Sequence, residues 1–136
     1  MPTVKGEAQL LPVRASSDVV LVRQAVRTAA AAIGFSLVDQ TKIVTAASEL
    51  ARNALEHGKG GSCRIETLEE GIRLGLRLVV EDNGPGISDI KLALTDGYTT
   101  GNGMGLGLSG SKRLVNEFDL WSRVGEGTRV TVTKWK

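Results

Sequence analysis

Cysteine is almost missing from this sequence. Cys63 stands alone, so no disulfide can form within the chain, and that usage suits a reducing compartment. Long apolar runs are missing too; none approaches the ~20 residues that cross a bilayer. Residues 1–11 carry neither the apolar stretch nor the cleavage pattern of a secretory signal, which points to a cytoplasmic protein. Nor is there an excess of one charge. The formal net charge is only +2 and is spread evenly, which argues against nucleic acid as the main partner. With no repeat, linker or low-complexity stretch, residues 1–136 read as a single domain. What is present is ordinary globular material: 41% hydrophobic and 24% charged residues, in a chain long enough to bury one core without metals or cross-links.

Hydrophobic periodicity divides the chain. Ser16-Ser17-Asp18 offers N-cap side chains, and Val19, Val22, Val26, Ala29, Ala30 and Ile33 follow at helical spacing before Gly34 stops the helix. Ser36 opens a second helix, with Asp39 as its capping partner and an apolar stripe from Val44 to Leu55; Gly58 lies just past its end. From residue 62 the period becomes two. Cys63, Ile65 and Thr67 alternate with Arg64 and Glu66. After a turn at Glu69-Glu70-Gly71, Ile72, Leu74, Leu76, Leu78 and Val80 share one face, so this is an antiparallel hairpin with one buried side. Residues 95–107 are glycine-rich. A helix is predicted over Leu108–Phe118, and a last hairpin runs from Leu120 to Val124, turns at Gly125-Glu126-Gly127 and returns through Val130 and Val132. The expected architecture is α+β: a two-layer sandwich, with helices on one face of a mainly antiparallel or mixed sheet.

Three local patterns could carry chemistry. Glu49 and Asn53 are one helical turn apart within an apolar segment. Their oxygens are the hard ligands that Mg²⁺ prefers, and a carboxylate can accept the proton of an attacking hydroxyl. Taken alone, the pair reads more readily as the solvated edge of a helix. Glu81-Asp82-Asn83-Gly84-Pro85-Gly86 follows a strand. Its glycines allow a close backbone approach, and Asp82 could accept a hydrogen bond from an exocyclic amine; the same residues would also make a plain turn. Gly101-Asn102-Gly103-Met104-Gly105-Leu106-Gly107-Leu108 precedes a helix, where loop amides can gather a phosphate. It is not a P-loop, because Gly110 is followed by Ser111-Lys112 rather than Lys-Ser. It does not close a first strand as a dinucleotide fingerprint would, and the His-Arg-Asp and Asp-Phe-Gly signatures of eukaryotic-type kinases are missing. A flexible surface loop stays open as its meaning.

The order of the patterns is more specific than any one of them. Glu-x-x-x-Asn on a helix, Asp-x-Gly-x-Gly after a strand, Gly-x-Gly-x-Gly before a helix, and Gly127-Thr128 before the last strand together resemble the ATP-binding boxes of the GHKL (Bergerat) superfamily, over residues 36–135. Within it the chain resembles the anti-sigma-factor kinase group, and most closely the stressosome serine/threonine kinases. Residues 48–53, Asp96-Gly97-Tyr98-Thr99-Thr100, Lys112-Arg113-Leu114, Glu117-Phe118 and Lys134-Trp135 carry that closer likeness. The resemblance implies ATP and Mg²⁺ as cofactors, with Asn53 on the metal and Glu49 as general base. It implies that Asp82 reads the adenine amine, that Gly84 and Gly86 make room for the base, and that Thr128 supports the adenine site. Residues 95–107 would be the ATP lid, with the amides around Gly103, Gly105, Gly107 and Leu108 on the phosphates. The implied partners are a STAS-domain antagonist as substrate and a PP2C-type phosphatase, with a sigma factor and a homodimer as further candidates, and neither nucleic acid nor membrane.

One departure stands out. Some related switch kinases carry a lid arginine that reaches the terminal phosphate, yet no lysine or arginine lies between Lys91 and Lys112. Such a cation can be worth about 10³–10⁵-fold. Mg²⁺, backbone amides and Lys112 or Arg113 would have to serve, and slow turnover is expected. The alternative function is a nucleotide-gated binding switch or anti-sigma factor with little transfer; retention of Glu49 favours the kinase, because binding alone needs no base. A gyrase- or Hsp90-type hydrolase would need a transducer domain. His57, the one histidine, is read as a helix cap rather than a catalyst or phosphoacceptor. Cys63 is read as core, Trp121 and Trp135 as packing residues, and Arg64, Arg73 and Arg77 as a basic stripe on the open face of the sheet.

Overall fold

A computed structural model describes residues 1–95 and 107–136. In chain order they form β1 (Thr3–Val4), β2 (Gln9–Val13), α1 (Ser16–Ala32), α2 (Leu37–Glu56), β3 (Gly61–Glu70), β4 (Arg73–Asp82), α3 (Ile90–Ala93), α4 (Gly107–Arg113), β5 (Glu117–Arg123) and β6 (Gly127–Trp135). The strands make one sheet in the order β1-β3-β4-β6-β5, and β2 continues the outer edge of β3 beyond β1. Every pairing among the described residues is antiparallel. The helices α1 and α2 pack on each other and on one face of this sheet, giving the two-layer α+β sandwich expected from the sequence.

α2 organises the layer. The Ser36 hydroxyl accepts the Asp39 amide at 3.1 Å and starts the helix where the sequence placed it. Ile43, Ala47, Leu50, Ala51 and Ala54 then face inward. They meet Val22, Val26 and Ala30 of α1 and the sheet residues Cys63, Ile65, Leu76, Leu78, Val80, Val130 and Val132. Cys63 is part of this core, and burial pushes its thiol up to about 12, so it stays protonated and unreactive. Leu78 is fully buried at the centre of the sheet. Leu78→Ala is therefore expected to lower unfolding free energy by about 2–5 kcal/mol, measurable as a shifted urea midpoint at unchanged slope.

Several expectations change. The helix predicted over Leu108–Phe118 ends at Arg113, and Phe118 belongs to β5. The Leu114 amide bonds the Ser111 carbonyl in a closing turn, and Asn116 then joins the sheet, its amide donating to Thr133 and its side chain accepting from the Trp135 amide at 2.8 Å. Leu114, Val115 and Phe118 do pack on the core or near it, but from a turn and a strand, which their spacing could not distinguish from a helix. Ile72 sits exposed in the β3–β4 turn instead of on the buried face. Of the three cap side chains expected for α1, Asp18 is the one that serves: its carboxylate accepts the amides of Arg14 and Ala15 at 2.8 and 3.1 Å. The basic stripe is largely neutralised. Arg77 donates to buried Glu66 at 2.7 Å, and Arg73 pairs with Glu70 while stacking 3.9 Å from the Trp135 ring centre. β1 and β2 had no counterpart in the periodicity; both lie on an edge, and of their residues only Val13 is buried.

Candidate functional site

The end of α2, the end of β4 and the start of β6 converge on a cavity of about 730 Å³. That size falls within the range of small-molecule sites. Glu49 and Asn53 line it from α2, as the turn spacing requires. Asp82 and Thr128 enter opposite each other from paired strands. Gly86, Gly107 and Leu108 complete the set from the loop after β4 and the start of α4. Between these groups the wall is apolar, with Leu50, Val80, Ile87, Leu92 and Val130 available to sandwich a flat ring.

Asp82 is held from two sides. Its Oδ1 accepts the Gly84 amide at 2.9 Å, and the Thr128 amide also donates to the carboxylate. Burial nevertheless outweighs both donors and holds the carboxyl above its ordinary value of 3.8. Thr128 is fixed in turn by Ser122, whose hydroxyl lies 2.9 Å from the Thr128 hydroxyl, donates to the Gly127 carbonyl and accepts the Ile87 amide at 2.8 Å. One inward-facing serine thus ties β5, the start of β6 and the cavity loop together.

Gly84 does not line the cavity. It is buried against Gly58, where an added Cβ would come within 2.5 Å of the Gly58 backbone. Gly86 does line it, in a left-handed conformation at φ +78°, with its inner side against the Arg123 carbonyl. Gly103 and Gly105 lie outside the described residues, as does the stretch 96–100. α4 is only seven residues long, with Gly107 at its start and the buried Ser111 hydroxyl returning to the Gly107 carbonyl at 3.2 Å. Lys112 and Arg113, named above as possible phosphate cations, occupy its last turn and do not line the cavity. His57 is the C-cap residue of α2, its amide bonding the Asn53 carbonyl at 2.9 Å, while it also borders the cavity.

Three contributors were not singled out by sequence. Ser122 could have been found as the polar residue that continues the inward series Phe118, Leu120. Arg52 donates to Glu49 at 3.3 Å and lines the cavity, and its i,i+3 spacing from Glu49 was a readable signal. Gly58 had no local signal beyond a helix stop. An added Cβ there would overlap the Asp82 carboxyl group, so only glycine lets α2 end against that side chain. Gly58→Ala is expected to displace Asp82 and weaken nucleotide binding at least tenfold, checked by titration calorimetry with a thermal-unfolding control.

The chain fits nucleoside triphosphate and magnesium by its donor set. An anchored acceptor stands among apolar walls, and a carboxamide and a carboxylate stand one turn apart on α2. Among the described residues no group of three or more His, Cys, Asp or Glu could hold a metal alone. A divalent ion would have to share phosphate oxygens and water with Asn53, which is how Mg²⁺ ordinarily binds beside a nucleotide.

Comparison with known proteins decides the family. The model of the histidine kinase-, DNA gyrase B- and HSP90-like ATPases matches residues 38–136. The chain belongs to this ATPase family. It is 46% identical over 118 residues to the serine/threonine-protein kinase RsbT of Bacillus subtilis, covering 87% of this chain and 89% of that protein. It is 32% identical over 105 residues to the anti-sigma F factor of Clostridium kluyveri, covering 73% and 72%. The crystal structure of the RsbU and RsbW domains of Rv1364c from Mycobacterium tuberculosis superposes with a TM-score of 0.66 at 25% identity; the match covers 96% of this chain and 33% of that one. The matched region of the ATPase family begins inside α2 and contains every cavity residue described above. No described helix is long and apolar enough to cross a membrane.

Proposed function

We propose that this protein is a cytoplasmic serine/threonine kinase that transfers the γ-phosphate of ATP to a STAS-domain antagonist within a partner-switching, stressosome-type stress module. In a second, mutually exclusive complex it would activate a PP2C-type phosphatase by binding. The observation that carries the reading is the placement of Glu49 beside Asn53 in the same cavity as Asp82 and Thr128: a potential base stands next to the metal-and-nucleotide residues instead of elsewhere on the helix. The relative RsbT, named a serine/threonine-protein kinase, supports transfer rather than binding alone.

The residues divide the work as follows. Asp82, with Gly86 and Thr128 around it, orients the base. Asn53 would hold Mg²⁺, which when bound would neutralise charge on the phosphates. Glu49 accepts the proton of the partner's serine or threonine hydroxyl as that oxygen bonds to the γ-phosphorus. The bond from the γ-phosphorus to its bridging oxygen breaks, and ADP leaves with that oxygen. Gly103, Gly105, Gly107 and Leu108 serve the phosphates.

The anti-sigma F factor relatives support a second reading, in which nucleotide gates the binding of a sigma factor and transfer is minor. One experiment separates the two. Purified protein is incubated with γ-labelled ATP-Mg and the STAS-domain proteins of the source organism. Label on a serine or threonine of one of them is expected; its absence in the presence of measurable ATP binding would leave the binding switch standing.

A further inference from the structure

The charges around the cavity do not balance. Glu49, Glu56, Asp82 and Asp89 all border it, and Arg52 is the one lysine or arginine among the described residues that does. The undescribed stretch between residues 95 and 107 contains no lysine or arginine at all, so it cannot supply a fixed cation. Among the described residues, a triphosphate entering here meets four carboxylates and one guanidinium.

We propose that Arg52 is the side chain that meets the terminal phosphate, and that in the nucleotide-free protein it is held in readiness by Glu49. This inference rests on the nucleotide-binding reading of the cavity given above. The two side chains are i,i+3 neighbours on α2, with Arg52 Nη1 3.3 Å from Glu49 Oε1. Their surroundings differ. The Glu49 side chain is 12% exposed and fixed in the wall, while that of Arg52 is 42% exposed. A long side chain with that much solvent around it turns by changing rotamers, at little packing cost. At 3.3 Å the contact is long for a charge-assisted bond and its cation is largely solvated, whereas a forked guanidinium on a phosphate makes shorter, stronger bonds. The exchange therefore runs toward phosphate when nucleotide is present. It also has a consequence for Glu49, whose Oε1 is released from Arg52 as the cation leaves. Arming the cation and withdrawing it from the base become one event, triggered by the group to be transferred.

An affinity ratio tests this without any protein acceptor. Binding of ATP-Mg and of ADP-Mg is measured by calorimetry for the wild type, Arg52→Ala and Arg52→Lys. The alanine variant is expected to bind ATP-Mg roughly tenfold or more weakly and ADP-Mg within about twofold of wild type, because only ATP brings the terminal phosphate. Lysine, keeping the charge but not the fork, is expected to recover part of the loss. Thermal unfolding of each variant reports on the fold, which a half-exposed surface arginine should leave intact. If alanine weakens both nucleotides equally, Arg52 shapes the cavity and does not read the terminal phosphate; if it weakens neither, Arg52 serves Glu49 alone. Either result overturns the assignment while leaving the nucleotide site in place. A wild-type protein that binds neither nucleotide removes the site itself and this inference with it.

Discussion

Glu49→Ala is expected to slow phosphoryl transfer by roughly 10²–10⁴-fold, the usual worth of a positioned general base, while ATP-Mg affinity stays within about twofold. The asymmetry follows from where the side chain sits. Glu49 is in the wall of the cavity one turn before Asn53 and is paired with Arg52, whereas the proposed reading gives recognition of the base to Asp82 and Thr128 across the cleft. Alanine suits a helix interior, so α2 keeps its geometry. Removing the carboxylate leaves Arg52 half-exposed and solvated, so no buried charge is stranded. Single-turnover transfer and a nucleotide titration on the same preparation check both halves. Transfer at the wild-type rate would remove the base role. Loss of transfer together with loss of affinity would make Glu49 a builder of the site and not its catalyst.

What could be read from sequence was what is local. α2 was legible because one cap and one stripe of small apolar residues specify it, and Glu49, Asn53 and Asp82 were legible because their motifs are short and contiguous with an element boundary. Features set by contacts between distant segments were not. The Gly58–Asp82 approach exists only when the end of α2 meets the end of β4. Glu66 is buried on the side of the hairpin that reads as polar, because half-buried Arg77 on the paired strand satisfies its charge. β2 was invisible for a different reason. It is an edge strand containing Pro12 with one buried residue, so it carries no alternation to detect. The end of α4 was misread because Leu114, Val115 and Phe118 are apolar at a spacing that suits a helix and equally suits a turn followed by a strand.

Asp82→Asn is expected to cost about 10²-fold or more in ATP affinity, the larger effect on binding of the variants considered. The substitution keeps size and shape and changes only hydrogen-bond polarity. In the native site the carboxylate accepts amides from Gly84 and Thr128 and still has lone pairs to offer an exocyclic amine. An asparagine has one acceptor oxygen, which the backbone amides claim first. Its NH₂ group then faces the cavity, donor against donor, and a site that presents the wrong polarity rejects its ligand strongly. The same variant carries a stability signature that does not involve nucleotide. Burial raises the Asp82 carboxyl above 3.8, so between that value and the raised one the folded protein binds more protons than the unfolded chain. The contribution of Asp82 to stability is therefore fully present below 3.8 and is lost as pH rises through the folded value. Asparagine does not titrate, and this part of the pH dependence should vanish from denaturation curves of the nucleotide-free variant. Retained ATP affinity would show that Asp82 does not read the base. An unchanged pH slope beside lost affinity would keep recognition but assign the slope to another carboxylate.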